Sequence, residues 1–423
     1  MRLKLTIVIS AVVFAAVACT GNASPGSNPG SAGGSVTPET LLLGTDSGRL
    51  AVRVPTGSVL FERAGAVASP DGSLVFSASS RGSSTVLETL EGATGEVVSS
   101  TRIPGHLDVR VVSGSGRGVA LMGPLPDGWD PLTPIPRSHT TIVVADPTGA
   151  GEPRTYELKG NFEPEAFSTD DQRLFMIQHL PAETPTVYRV TVLDLVRGRV
   201  KPVFGPFKSP PERMPGTRLQ QIFAPNGDQL YTLYTSARPG YAPHGAPVPS
   251  DASVSFVHVL SLAKGWAHCV GLPRELWNQP ASAQAMAASS DGTRLYIVDS
   301  VRGLVSVMDT ETLEILRTEE IDLRATAVTD TSAKLSADDG TLFVGTGGSD
   351  SVLYAIDTTT LQVAHLWPLS GDLSGLGLSL DGVRLYVALG DHLAVLDPVT
   401  GEELGAVSFT GPGPIVKVNA LGG

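Results

Sequence analysis

The chain has 423 residues and a formal net charge of −12, with no basic stripe anywhere along it. That balance excludes a nucleic-acid partner, which would demand clustered Lys and Arg. Two cysteines, Cys19 and Cys269, are too few for a disulfide-stapled scaffold, whereas 47 glycines and 32 prolines point to a chain dense in turns.

In chain order, the first element is a processing segment. Arg2 and Lys4 form a short basic region, and Leu5 to Val17 is an apolar run too short to persist as a membrane-spanning helix. It ends Ala16-Val17-Ala18-Cys19. Small residues before a cysteine resemble a bacterial lipobox, with Ala16 where that motif usually carries leucine. The resemblance implies removal of residues 1–18, a lipid on Cys19 and a mature chain anchored to the bacterial membrane on its extracytoplasmic side. The alternative is ordinary secretion by cleavage after a small-x-small pattern, with Cys19 incidental. Cys269 lies in the apolar run His268-Cys269-Val270 and reads as a buried, inert thiol. Residues 19–39 are the lipidated cysteine and a Gly/Ser/Pro/Asn spacer, too poor in apolar groups to offset the entropy of ordering. Residues 40–423 form the folded domain.

Within that domain one element recurs: a small residue, Asp-Gly or a variant, then an apolar-aromatic strand. It reads SPDGSLVFS at 69–77, STDDQRLFM at 168–176, APNGDQLYT at 224–232, SSDGTRLYI at 289–297, SADDGTLFV at 336–344 and SLDGVRLYV at 379–387. A degenerate copy, SGSGRGVAL, occupies 113–121. Each is followed by an alternating strand and a second turn, as in VADPTG at 144–149 and LDPVTG at 396–401. Asp-Gly between alternating apolar runs predicts a hairpin, and Asp-Pro-x-Thr-Gly is turn chemistry. Each unit therefore reads as four short antiparallel strands, A to D. No long helix-period segment interrupts them. Four-stranded units in tandem predict an all-β fold, a β-propeller.

The copies resemble the YVTN-type, WD40-like repeats of bacterial β-propellers, most closely in RLYIVDSVRGLVSVMDTETLEILRT at 294–318 and RLYVALGDHLAVLDPVTGEELGAV at 384–407. The resemblance spans residues 41–418. It implies a propeller and no single activity. Residues 41–63 align with strands B, C and D of the last repeat, while Pro414 to Val418 reads as a lone strand A. Joining the two ends in one blade closes the ring and removes exposed edges. Seven internal units and one shared blade make eight; seven blades is the alternative.

Candidate sites follow from the insertions at 123–139, 205–217, 236–251 and 270–280. All are B–C or D–A connections, so all emerge on one face. They carry Trp129, Arg213, Tyr241, His244 and Trp277, a set suited to an envelope protein or glycan. The alternative is that each Trp packs down on its own loop. Beneath them, strands A of the second and third units hold His106, Asp108, Arg110, Glu163 and Glu165, with Gln220 and Gln221 in the fourth. With a period of two, Asp108 and Arg110 share one side, as do Glu163 and Glu165. Such a cluster reads as a ligand or Ca²⁺ site, or as a solvated channel lining in which Arg110 neutralises the carboxylates. No metalloprotease, nucleophile-elbow, phosphate-loop or EF-hand motif occurs, and no cofactor is indicated. The favoured function is a non-enzymatic binding or scaffold module at the cell envelope. The alternative is a propeller enzyme, lactonase- or lyase-like, with a metal or carboxylate site at the channel mouth.

Overall fold

Ser-x-Asp turns set the spacing of the strands. In the first full repeat, Ser69 Oγ donates to Asp71 Oδ1 at 2.6 Å and accepts the Leu74 N–H at 3.0 Å. The same Ser–Asp bond recurs at Ser168–Asp170, Ser289–Asp291, Ser336–Asp338 and Ser379–Asp381. The residue after the aspartate is left-handed: Gly72 has φ of 74°, and where Asp171 and Asp339 stand in for glycine they take 56° and 57°. Glycine and short polar residues are those that tolerate this region. These hydrogen bonds hold the Asp71, Asp170, Asp291, Asp338 and Asp381 carboxyls below the ordinary range. The outer hairpins use the second motif, as where Asp397 Oδ1 accepts the Val399 and Thr400 N–H groups at 2.8 and 2.9 Å.

A computed structural model describes residues 38–421, apart from 46–47, 127–132, 211–212, 215, 236–254, 278–279, 324–327, 391 and 410–414. Its strands form eight four-stranded antiparallel sheets. The protein is an eight-bladed β-propeller, and the seven-blade alternative is excluded. Counting the shared blade as blade 1, its inner strand is Ile415–Leu421 and its outer strands are Glu39–Thr45, Gly48–Val54 and Ser58–Ala64. Leu41 pairs with Ala420, Leu42 with Asn419 and Leu43 with Val418, which is the closure expected from the matched termini. The first described strand begins at Glu39. The internal repeats follow as blades 2 to 8.

The core lies between blades. Tyr231, Leu233, Val257 and Val259 of blade 5 pack on Met286 and Ile297 of blade 6, and the other described clusters likewise join neighbours. This explains why the second strands read as unbroken apolar runs: Leu295 to Val298 are at most 6% exposed because both faces are covered. Cys269 is half-buried against the core shared by blades 4 and 5, less enclosed than its apolar flanks suggest. The ring seam has an ionic latch. Arg384 of blade 8 places Nη2 3.3 Å from Glu39 Oε1, both side chains 6% exposed. The Tyr386 hydroxyl also donates to Glu39.

The inner strands carry irregularities that the period of two does not anticipate. Arg110 is an extra residue between Val109, which pairs with Leu121, and Val111, which pairs with Ala120. Glu165 is likewise inserted between Pro164 and Ala166. A β-bulge breaks the period of two at both places, so spacing alone does not set where these two side chains point.

Candidate functional site

The bulges aim Arg110 and Glu165 into one cavity on the long-loop face. Inner strands Asp108–Val112, Asn161–Phe167 and Thr217–Phe223 of blades 3, 4 and 5 supply its floor. The insertion at 123–139 supplies a wall through Leu125, Thr133, Pro134, Ile135 and Arg137. That wall is fastened down. Asn161, fully buried, donates from Nδ2 to the Ile135 carbonyl at 2.7 Å and to the Ala182 carbonyl at 2.9 Å. The Arg137 N–H also reaches the Ala182 carbonyl at 3.2 Å, and Arg110 Nη2 donates to the Gly123 carbonyl at 2.7 Å. The enclosed volume is about 280 Å³. The cavity runs outward from the inner strands to His179, Tyr188 and Tyr234 on the second and third strands of blades 4 and 5.

Three guanidiniums meet two carboxylates here. Arg137 Nη2 donates to Glu163 Oε2 at 3.0 Å, and Arg110 Nε stands 3.7 Å from Glu163 Oε1. Arg218 Nη1 lies 3.4 Å from Glu165 Oε2, and Gln221 Nε2 donates to Glu165 Oε1 at 2.5 Å. The Glu165 side chain is 1% exposed, whereas that of Arg218 stays 40% exposed. Burial raises the Glu165 carboxyl above its usual value, opposed by the Arg218 charge and reinforced by Glu163. The Arg218 guanidinium loses hydration, yet Glu165, Tyr234 and Glu163 hold its pKa above normal. His179 is driven down to about 4 by burial and by the charges of Arg137 and Arg218, so its imidazole is neutral at pH 7. Several buried polar atoms at this site have no hydrogen-bond partner: His179 Nδ1, Arg110 Nε and Arg137 Nε.

The His179 shift predicts a pH dependence. An unfolded imidazole takes a proton near 6.5, while the folded one resists until about 4. Acidification through that window therefore favours unfolding, by up to about 3 kcal/mol. Urea titrations at several pH values should show His179→Gln gaining on the wild type as pH falls from 7 to 4. A constant gap between them would show that the imidazole titrates normally.

Of the residues anticipated from sequence, Arg110, Glu163 and Glu165 converge on the cavity. Asp108 is half-buried outside its lining, and His106 is exposed with Nδ1 3.2 Å from Ser80 Oγ. Arg213 is exposed and lies outside the lining too. Trp277 is half-buried on its own loop, its Nε1 donating to the Leu272 carbonyl at 2.8 Å and its ring 5.6 Å from the Arg274 guanidinium carbon. That is the alternative in which a tryptophan folds onto its own connection. Cys19, Trp129, Tyr241 and His244 lie outside the described residues. Sequence reasoning missed Arg137, His179, Tyr188, Arg218 and Tyr234. Arg218 stands two residues before Gln220 on an inner strand already singled out, and Arg137 sits in an insertion already named. His179, Tyr188 and Tyr234 carried no signal, because strands B and C read as core. Among the described residues, no group of three or more His, Cys, Asp or Glu could hold a metal ion.

Comparison with solved structures adds the fold and nothing finer. Apo AztD from Citrobacter koseri superposes with a TM-score of 0.56 at 12% identity, over 91% of this chain and 98% of that one. A second structure of Citrobacter koseri AztD gives 0.55 at 12% identity, covering 92% and 99%. The dihydro-heme d1 dehydrogenase NirN in complex with DHE gives 0.51 at 18% identity, over 90% of this chain and 74% of that one. The shared feature is the propeller. No protein family and no curated protein matches the chain. Function must be read from the cavity, since propellers of one shape serve unrelated chemistries.

Proposed function

We propose that this chain is a lipid-anchored, extracytoplasmic propeller of the YVTN type, a binding module that takes its ligand in the cavity of blades 3 to 5. The observation that carries this reading is the cavity of about 280 Å³ in which three guanidiniums, two carboxylates and a neutral imidazole converge from three blades and one insertion. Attachment rests on Ala16-Val17-Ala18-Cys19, and the spacer up to residue 38 would hold the acidic domain off anionic headgroups. The long loops would offer the same face to an envelope partner, protein or glycan.

Protein isolated from its own membranes should carry a small molecule, recovered by denaturing extraction and identified by mass spectrometry. Replacing residues 124–136 with a short Gly-Ser turn removes the wall and should empty the cavity without unfolding the propeller. Cargo kept at the wild-type level in that variant sinks the cavity reading. Cys19→Ala should release the protein from the membrane fraction and abolish labelling by a fatty-acid analogue; a label that persists sinks the anchor. The enzyme reading has one observation in its favour, the neutral His179 imidazole, which is the protonation state a general base needs. Lactone hydrolysis or polysaccharide cleavage that disappears in His179→Gln would select it.

A further inference from the structure

The charge count of the cavity says more than that something binds. Its ionisable lining consists, among the described residues, of Arg110, Arg137, Arg218, Glu163, Glu165 and a neutral His179. Among the described residues three cations face two carboxylates, a surplus of one positive charge. Glu163 is shared by Arg110 and Arg137, so the surplus lies with that pair, while Glu165 alone faces Arg218. Arg218 is set apart by its geometry. Arg218 meets Glu165 and Gln221 through Nη1 alone, at 3.4 Å in each case. Its Nε and Nη2 make no hydrogen bond to a described residue, and its side chain stays 40% exposed on the cavity side. A guanidinium with one edge engaged and one open presents a planar pair of N–H donors.

Much of the rest of the lining is apolar, with Thr133 and Gln221 as polar members. Val109, Val111, Ile135, Pro164 and Ile177 contribute aliphatic surface beside the rings of Tyr188 and Tyr234. Those rings lie 5.2 Å apart between centroids, tilted by 32°, and are only 2% and 3% exposed. Acceptor-only ligand groups match the Arg218 edge, and a cation would meet like charge.

We infer that the ligand is a small organic acid, with one carboxylate held by the open edge of Arg218 and an apolar or aromatic body against the half-buried Val111, Pro134 and Ile135. This rests on the cavity reading above and narrows it to one chemical class. A single negative charge balances the lining. A bidentate carboxylate on a guanidinium gains direction as well as charge. A dianion such as inorganic phosphate would overcompensate and leave the apolar wall uncovered.

The test is calorimetric titration of the purified propeller with sodium 3-phenylpropionate, its uncharged primary amide, 3-phenylpropylamine and inorganic phosphate. The acid should bind at least tenfold more tightly than the amide, with no measurable heat from the amine or from phosphate. Arg218→Gln should cost the acid at least thirtyfold and leave the amide within threefold. Because that change strands the buried Glu165 charge, Arg218→Gln/Glu165→Gln is measured alongside; it removes both charges together and should lose the acid preference equally. Amide binding as tight as acid, preferred binding of the amine or phosphate, or unchanged acid affinity in the double variant overturns the inference. Those outcomes leave the cavity reading standing, since that reading falls only when cargo survives loss of the 124–136 wall. Absence of binding by every probe overturns the inference as well.

Discussion

Deletion of residues 411–423 is expected to abolish cooperative unfolding. The strand Ile415–Leu421 is the inner member of blade 1 and pairs along Thr40 to Thr45. Removing it exposes Leu41, Leu42 and Leu43, which are at most 1% exposed in the intact ring, and discards Ile415, Val418 and Leu421, each at most 6% exposed. Burial of three such side chains contributes about 6 kcal/mol. That is comparable with the whole stability of an ordinary domain, about 5–15 kcal/mol. The bared edge of Glu39–Thr45 would also offer unpaired backbone groups for intermolecular pairing. Circular dichroism melts should lose their sigmoid transition, and size-exclusion chromatography should show aggregates. A deletion that stays monomeric and melts with the parent would mean the ring does not depend on this closure.

The second large effect is at the same seam. Arg384→Met is expected to destabilise by about 3–5 kcal/mol, because it leaves Glu39 charged and buried without its cation. The pair is 3.3 Å apart with both side chains 6% exposed, so water cannot take over the role of the lost partner. Tyr386 still donates to Glu39 but cannot neutralise it. Glu39→Gln/Arg384→Met should recover most of the loss, since no buried charge is then stranded. Urea unfolding of the two single variants and the double completes the cycle, with a coupling of at least about 2 kcal/mol expected. Single variants whose costs simply add would show that the latch contributes no pairwise energy.

The two ends of the molecule were unequally legible. Ser-x-Asp and Asp-x-Thr-Gly turns act over a few residues, through hydrogen bonds such as Ser69 to Asp71 and backbone signs such as that of Gly72. Information that local is readable without the fold, and from it follow the strand count, the blade count and the closing of the ring by both termini. The acidic cluster was readable only in part. Arg110, Glu163 and Glu165 were found because they interrupt apolar inner strands. Yet nothing in the residues announces the bulge at Arg110 or at Glu165, so the period of two could not place them.

Asp108 and His106 are polar residues beside the cluster in sequence that stand outside the cavity lining in space. Trp277 is a loop aromatic whose indole N–H is satisfied by its own connection through the Leu272 carbonyl. The sequence by itself determined the repeat, the turns, the propeller and the shared blade, because each is written in contacts between residues close in the chain or in matched ends. Only the tertiary structure decided the site. Arg137, His179, Arg218 and Tyr234 come from one loop and three strands spread over nearly a hundred residues of chain, and their meeting depends on how three blades and one fastened insertion pack. Their charge balance, the pKa of about 4 at His179 and the open edge of Arg218 are properties of that packing, which no local pattern encodes.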